Sequence, residues 1–187
     1  MGVLIGVLLL VLVFFTLTNK SPNTVPTNTD QTTSITKKQN QIIDPNAAQF
    51  QGKENLAKYE SIAKKNPSVA ADQVNAAVSA YGNVDYNKAI EYYKKAVALQ
   101  PKNAQYLTYL GNVYFRGLNS PKDASQYYQA ATQNDPSYVY GWWNLALCEK
   151  ALGDKEAAKA TLKKGIASVN PNDPLYKQLQ LQLDDLK

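Results

Sequence analysis

The stretch that decides the fold is YLTYLGNVYFRGLNSPKDASQYYQAATQNDP, residues 106–136. The helical spacing of its apolar residues is interrupted at residues 117–121. Since the pattern is helical on each side of this interruption, it predicts two helices joined by a turn. Pro136 closes the stretch, because proline disfavours helix at the preceding residue and suits the first turn of the next helix. The expected building block is therefore a helix–turn–helix unit.

The same unit recurs along most of the chain. Prolines that end helical patterns stand at positions 67, 101, 136 and 171, at spacings of 34, 35 and 35 residues. A tyrosine stands eight residues before each of the first three prolines. A period of this length is the signature of a helical solenoid. The chain is predicted to be all-α, a superhelical solenoid of antiparallel helix pairs.

Side chains at fixed positions in each unit resemble those of tetratricopeptide repeats. The second unit has Leu110-Gly111 and Tyr114 on its first helix, followed by small and aromatic residues on its second helix. This resemblance covers about residues 68 to 171 and implies three repeats, at about 68–101, 102–136 and 137–171. The residues of the second helices and of the third repeat that carry it are Ala89, Tyr93, Ala96, Pro101, Ala124, Tyr128, Ala131, Pro136, Trp142, Leu145, Ala146, Gly153, Ala158, Leu162 and Gly165.

Capping helices are expected on both sides of the three repeats, in a domain spanning 47–187. Residues 51–65 resemble the second half of a degenerate leading repeat. A C-terminal helix over 173–186 is predicted to begin at Asp173-Pro174, an N-cap and a first-turn proline. The LQLQL alternation at 179–183 could be read as a strand, but a lone strand would have no partner. A helix that covers the last repeat is therefore preferred, since solenoid ends must be closed off.

The resemblance implies a concave groove lined by the first helix of each pair. Its aromatic rings, amides and few cations suit an extended peptide or a partner helix. Trp143 and Arg116 are expected to contribute most to binding, since those residue types dominate interface energies. The alternative is that several of these rings pack only between adjacent repeats. The candidate groove residues are Asn75, Val78, Tyr81, Gln105, Tyr109, Asn112, Phe115, Arg116, Tyr140, Trp143, Asn144, Leu147 and Lys150.

Composition argues against catalysis and against nucleic-acid binding. The chain has no histidine and one cysteine, Cys148, which excludes histidine acid/base chemistry, His/Cys zinc sites and internal disulfides. Of its 20 basic residues 19 are scattered lysines, so no basic stripe follows a phosphate backbone. The close carboxylates, Asp184-Asp185 and Asp154 with Glu156, lie at a chain end and in a turn. No enzyme activity, cofactor or metal is expected, and Cys148 is predicted to be a buried apolar filler.

The N-terminus predicts a membrane anchor followed by a tether. Residues 2–18 read GVLIGVLLLVLVFFTLT, and as a helix they would span roughly 25 Å, just enough for a bilayer core. Residues 1–18 are therefore predicted to form a single hydrophobic N-terminal helix. It is expected to stay uncleaved, because Thr16-Leu17-Thr18 is a poor signal-peptidase site. Residues 19–46, rich in Asn, Thr and Pro, are predicted to be a flexible linker.

Two features bear on the side of the membrane that the repeats occupy. Lys20, Lys37 and Lys38 follow the apolar segment, and by the positive-inside rule they favour cytoplasmic repeats. The Thr/Asn-rich stalk, by contrast, suits a bacterial or archaeal cell exterior. A membrane-anchored chain with extracytoplasmic repeats is the preferred interpretation.

Two functions from different classes fit this organisation. In the first, the chain is a membrane-tethered adaptor whose groove recruits a protein or peptide partner. In the second, it is a structural subunit that self-assembles into an oligomer or extracellular filament through its apolar N-terminal helix and repeat faces. That helix resembles pilin-like subunits only loosely, since it lacks the acidic residue that many bacterial pilins carry near its start. The adaptor is therefore preferred.

Overall fold

The computed structural model describes residues 43–186, and within this range the chain is helical with no strand. The expected all-α repeat architecture is thereby confirmed. The predicted anchor and most of the predicted linker lie outside the described residues. A short 3-10 turn at Ala48–Phe50 precedes eight α-helices: α1 Lys53–Lys65, α2 Ala70–Gly82, α3 Tyr86–Leu99, α4 Ala104–Asn112, α5 Pro121–Asn134, α6 Val139–Ala151, α7 Lys155–Ser168 and α8 Tyr176–Asp184.

The helices pack as three hairpins stacked in chain order. The pairs are α2 with α3, α4 with α5 and α6 with α7, and each second helix also packs on the first helix of the next pair. The first helices α4 and α6 contact each other directly as well. In a curved stack, neighbouring elements approach most closely on the inner side. We therefore define the concave face as the side formed by α2, α4 and α6.

A three-residue turn joins the two helices of each hairpin, and its middle residue has a positive φ. These middle residues are Val84, Asn119 and Gly153, with φ values of 64°, 50° and 85°. In the first and third turns the next residue, Asp85 or Asp154, caps the second helix by accepting a hydrogen bond from a main-chain N–H three residues later. The left-handed residue reverses the chain, and the carboxylate then satisfies an N–H that the new helix leaves free.

Small residues let the two helices of a hairpin approach closely, as the repeat pattern implies. A Cβ added to Gly111 would lie 2.6 Å from Cε1 of Tyr128, a side chain with no exposed surface. In the third hairpin a Cβ on Gly165 would lie 2.8 Å from Cβ of Trp142. The large ring on one helix thus fills the space that the glycine on its partner leaves.

The second hairpin absorbs one extra residue without breaking the repeat. Its first helix continues from α4 into a π-helical turn at Val113–Gly117, closed by a hydrogen bond of 3.0 Å from Leu118 N to Val113 O. Such turns accommodate a one-residue insertion inside a helix. A Cβ on Gly117 would lie 2.8 Å from the ring of Tyr86, so the wider turn still packs tightly on the first hairpin.

The C-terminal helix begins later than the sequence pattern indicates. Asp173 accepts a hydrogen bond of 2.8 Å on its carboxylate from Leu175 N, and one of 3.0 Å on its carbonyl from Tyr176 N. Asp173 and Pro174 therefore form a turn ahead of α8 instead of its N-cap and first turn. Leu179 of α8 is fully buried against the last hairpin. Between residues 43 and 186 no helix has both the length and the apolar character that a bilayer crossing needs.

Candidate functional site

At the first-repeat end of the concave face, the predicted groove residues are mostly covered. Val78 is only 1% exposed, and Asn75 and Tyr81 are half-buried. The ring of Tyr81 lies 5.4 Å from that of Tyr86 on α3, so it packs within the first hairpin. This end of the predicted groove therefore offers little open apolar surface.

Tyr109 occupies the centre of this covered region. Its ring lies 5.7 Å from the ring of Tyr93, and its hydroxyl accepts hydrogen bonds of 3.0 Å from Ile43 N and of 3.0 Å from Nε2 of the buried Gln105. Burial raises the pKa of the Tyr109 phenol above its ordinary value. Tyr109 thus contacts the chain just upstream of α1.

A stretch that the sequence analysis missed lies along this end of the concave face. The carbonyl of Phe50 accepts hydrogen bonds of 2.7 Å from Ser79 Oγ and of 3.1 Å from Asn83 Nδ2. Both donors lie on the α2 side of the groove, and Ser79 is fully buried. The available signal was Phe50 itself, a lone aromatic residue in a polar stretch just before the first predicted helix.

In the second repeat, two predicted groove residues serve the packing of the hairpins. Asn112 Oδ1 accepts a hydrogen bond of 2.8 Å from the hydroxyl of Tyr128, which ties α4 to α5. The half-buried ring of Phe115 packs against the cluster that includes Leu145 and Cys148 of α6. For these two residues the contacts fit the alternative interpretation, in which the side chains pack within and between adjacent repeats.

Arg116 and Asn144 form a polar bridge between the second and third repeats. Nη2 of the exposed Arg116 donates a hydrogen bond of 3.3 Å to Oδ1 of Asn144, which is only 4% exposed. The amide of Asn144 in turn donates a bond of 2.9 Å to the carbonyl of Tyr140, whose half-buried ring lies 5.8 Å from that of Tyr138. A guanidinium has five N–H donors, and this bridge uses one of them. The bridge holds an exposed cation at a fixed place on the face.

At the third-repeat end, two of the predicted residues, Leu147 and Lys150, line a small recess. Trp143 is half-buried beside the cluster formed by the last hairpin and α8, whereas Trp142 donates from Nε1 to the carbonyl of Pro136 at 2.8 Å. The recess has a volume of about 130 Å³. Its lining comes from α6, α7 and the C-terminal residues: Ala146, Leu147, Lys150, Leu162, Gln182, Asp185 and Leu186.

Burial shifts the pKa of two neighbouring side chains on α6. Cys148 is fully buried, and burial raises the pKa of its thiol to about 12, so it is protonated at neutral pH. Burial also raises the pKa of Glu149, whose carboxylate accepts a bond of 3.0 Å from Thr161 Oγ1. Over residues 43–186 no group of three or more Cys, Asp or Glu side chains could hold a metal ion.

Together these features define an α-solenoid of stacked helix hairpins with a polar and aromatic concave face. Two family models described as tetratricopeptide repeat match this chain, one over residues 74–139 and one over 116–183. Their combined range, from residue 74 to residue 183, is more than half of the 187 residues. Over that range the chain is a tetratricopeptide-repeat protein.

Two known proteins are similar to this chain in sequence. A heat-shock protein cognate co-chaperone, sgt12, of Aspergillus fumigatus is 32% identical over 88 residues, which are 47% of this chain and 26% of that protein. A peroxisomal targeting signal receptor of Eremothecium gossypii is 29% identical over 109 residues, 57% of this chain and 19% of the receptor. The match therefore spans about a quarter or less of the length of these relatives.

A solved structure has the same arrangement of helices. The crystal structure of the Sgt2 tetratricopeptide-repeat domain from Aspergillus fumigatus superposes with a TM-score of 0.54 at 25% identity. The superposition covers 62% of this chain and 77% of that domain. The similarity supports a stack of helix hairpins as the common element.

Proposed function

We propose that this protein is a membrane-tethered scaffold that binds a partner peptide or helix on its concave face. Proteins with these repeats bind other proteins, and the two relatives carry the names of a co-chaperone and of a targeting-signal receptor. The observation that carries the proposal is the Arg116–Asn144 bridge. It fixes an exposed guanidinium among half-buried rings on the inner side of the array, which is the composition of an interface hot spot.

The open part of the concave face lies on the second and third repeats. Arg116 and Lys150 are exposed there, and Trp143 and Leu147 are half-buried. The cationic groups of Arg116 and Lys150 can bind main-chain carbonyls or a carboxylate. The Trp143 ring and the Leu147 side chain can cover apolar side chains of the partner. We expect the partner to be an extended peptide or a short helix that carries both kinds of group.

The binding test uses a peptide selected against the full chain from a displayed library. We expect Arg116→Ala and Trp143→Ala each to weaken its binding at least tenfold, because alanine removes the charge or the contact area. Lys122→Ala and Leu152→Ala are the matched controls, since they remove an exposed cation and an exposed apolar side chain elsewhere. Binding is measured by titration calorimetry, and circular dichroism checks that each variant stays folded. Equal weakening by the controls, or none by the two groove variants, would remove the proposed site.

The tether is the second part of the proposal. Residues 1–18 would anchor the chain in the bilayer, and the repeats would lie outside the cytoplasm. The predicted linker, residues 19–46, would be flexible only up to Ile43, where the chain packs on the repeats. The support for the tether is the uncharged apolar run at residues 2–18 and the composition of the linker.

Fractionation of cells that express the full chain tests the anchor. We expect the chain to stay in the membrane pellet through an alkaline carbonate wash, and Leu9→Lys with Leu12→Lys to release it. Two lysines placed instead at Thr24 and Thr27 of the linker should leave it in the pellet. Protease added to intact cells should cut the linker. Chain that remains in the wash supernatant, or a linker protected in intact cells, would contradict the anchor or the orientation respectively.

A further inference from the structure

Residues 43–51 lie where a leading repeat would place the end of its first helix. The α1 helix corresponds to the second helix of such a repeat, and one period before α2 its first helix would cover about residues 36–48. Instead, the structure has a turn at 44–47 and the single 3-10 turn Ala48–Phe50. We call residues 43–51 the upstream segment.

The concave face holds the upstream segment mainly through its main chain. Ser79 and Asn83 both donate to the carbonyl of Phe50, at 2.7 and 3.1 Å, and Ile43 N donates to the Tyr109 hydroxyl at 3.0 Å. Within the segment, Gln51 Nε2 donates to the carbonyl of Pro45 at 2.6 Å. Contacts of this kind place few demands on the bound sequence, because main-chain groups are present in any sequence.

Two apolar side chains anchor the ends of the upstream segment. Phe50 is 3% exposed, with its ring 5.2 Å from that of Tyr59, and the half-buried Ile43 packs against the same apolar cluster. Phe50 is the one buried residue among the nine. Asn55 of α1 also donates hydrogen bonds of 3.3 and 2.8 Å to the carbonyls of Ala48 and Gln51. Because the segment buries only one side chain, we nevertheless expect it to open at a lower free-energy cost than a packed helix.

Gly82, the last residue of α2, lies directly against the upstream segment. A Cβ at this position would lie 2.5 Å from the carbonyl oxygen of Pro45 and 2.5 Å from Nε2 of Gln51. The absence of a side chain at Gly82 therefore makes room for the segment, although alanine would suit the helix itself better.

We propose that the upstream segment is an intramolecular ligand of the first-repeat end of the concave face, which a partner peptide must displace to occupy the whole groove. The inference rests on the proposed use of that face for partner binding. A tether of this kind gives the segment an effective concentration on the order of millimolar. The segment therefore excludes weak competitors and leaves only the second and third repeats open to them.

The contacts also define what could replace the segment. A competing peptide must present a carbonyl to Ser79 and Asn83, and must place an apolar or aromatic side chain where Phe50 lies. The segment carries one charge, that of Asp44, whose carboxylate accepts from Asn46 N within the segment. Charge complementarity is therefore a small part of recognition at this end of the groove.

Hydrogen exchange on the unmodified full chain is the first test, and it needs no partner. We expect the amides of Phe50 and Gln51, whose hydrogen-bond acceptors lie within the segment, to exchange at least a hundredfold faster than those in the middle of α4. That result would mean that the segment opens while the repeats stay folded. Equal protection of the segment and α4 would make the segment a fixed part of the fold and would overturn the proposal.

The Gly82→Ala variant of the full chain is the second test. We expect exchange in residues 43–51 to accelerate at least tenfold, with exchange in α4 to α7 unchanged, because the added methyl group occupies the place of the segment. Ala71→Ser, a change at an exposed position of the same helix, should leave the segment protected. Loss of protection in α4 along with the segment, or no change in the segment, would contradict the inference.

The third test supplies the ligand in trans as a labelled synthetic peptide of residues 43–52. We expect it to bind the full-length Phe50→Ser variant at least tenfold more tightly than the parent, and a peptide with the same Phe→Ser change not to bind. Equal binding to parent and variant, or none to either, would overturn the proposal. Because none of the three tests uses the peptide selected for the Arg116 face, failure of that binding leaves their outcome untouched.

Discussion

Gly111 and Gly141 occupy the first helices of successive repeats, yet their surroundings differ. A Cβ on Gly111 would lie 2.6 Å from the ring of Tyr128, whereas on Gly141 the nearest atom, Cγ2 of Thr132, would lie at 3.1 Å. Glycine in a helix costs up to about 1 kcal/mol relative to alanine. Replacing it by alanine therefore stabilises the fold where there is space for a methyl group and destabilises it where there is none. The two sites therefore separate packing from helix propensity.

We expect Gly111→Ala to lower the free energy of unfolding by about 1 to 3 kcal/mol, because the fully buried Tyr128 ring must move. Gly141→Ala, the matched control, should be close to neutral, since a methyl group can yield by a few tenths of an ångström. Urea unfolding followed by circular dichroism at 222 nm measures both. A Gly111→Ala protein at least as stable as the control would mean that this glycine does not set the distance between α4 and α5.

Cys148 provides a residue-level check on the core between the second and third repeats. Burial raises the pKa of its thiol to about 12, so the reactive thiolate forms in the folded chain only as the pH approaches that value. At pH 8 we expect iodoacetamide to label the native protein at least a hundredfold more slowly than the urea-unfolded chain. Rapid labelling of the native protein would show that this part of the core is open to solvent.

At the scale of a single element, the turn between α2 and α3 contains an unfavourable residue. The middle residue of each three-residue turn has a positive φ, a conformation that suits Gly153 and Asn119 but costs a β-branched residue about 1 to 2 kcal/mol. The side chain of Val84 is 67% exposed, so little packing offsets this cost. The first turn therefore carries backbone strain that the other two avoid.

We expect Val84→Asn to raise the free energy of unfolding by about 1 kcal/mol, because asparagine adopts this conformation more readily. Leu152→Asn is the control, since Leu152 is also an exposed apolar turn residue but has a φ of −79°. It should change stability by less than about 0.5 kcal/mol. Thermal unfolding monitored by calorimetry gives both values. A Val84→Asn protein no more stable than its parent would contradict the strain.

The repeats could be predicted from the sequence because the contacts between helices recur with the same period as the residues that make them. Structural features that depart from this period could not be predicted. Gly111 and Tyr128 mark their contact in the pattern itself, whereas the π-helical turn at Val113–Gly117 depends on where one extra residue fits best. The same holds for the candidate site. Arg116 and Trp143 follow from their repeat positions, but the hydrogen bond from Ser79 goes to Phe50, in a stretch ahead of the three predicted repeats.

At the scale of the whole molecule, within residues 43–186 each hairpin packs mainly on its neighbours, so local damage should remain local. The last hairpin is closed by α8, where Leu179 is fully buried in a cluster with Leu162 and Val169. A change at Leu179 should therefore affect α6 and α7 more than α2 and α3. A globular domain with a single shared core would not show this gradient.

We expect Leu179→Ala to destabilise the C-terminal hairpin by about 2 to 5 kcal/mol, through lost burial and the cavity that remains. Leu181→Ala, two residues away and 47% exposed, should have little effect. Hydrogen exchange read helix by helix measures the consequence: protection should fall most in α7 and α8, less in α5, and hardly at all in α2. A uniform loss of protection from α2 to α8 would mean that the stack unfolds as one cooperative unit. The effect of the terminal cap would then extend along the entire concave face, including the end occupied by residues 43–51.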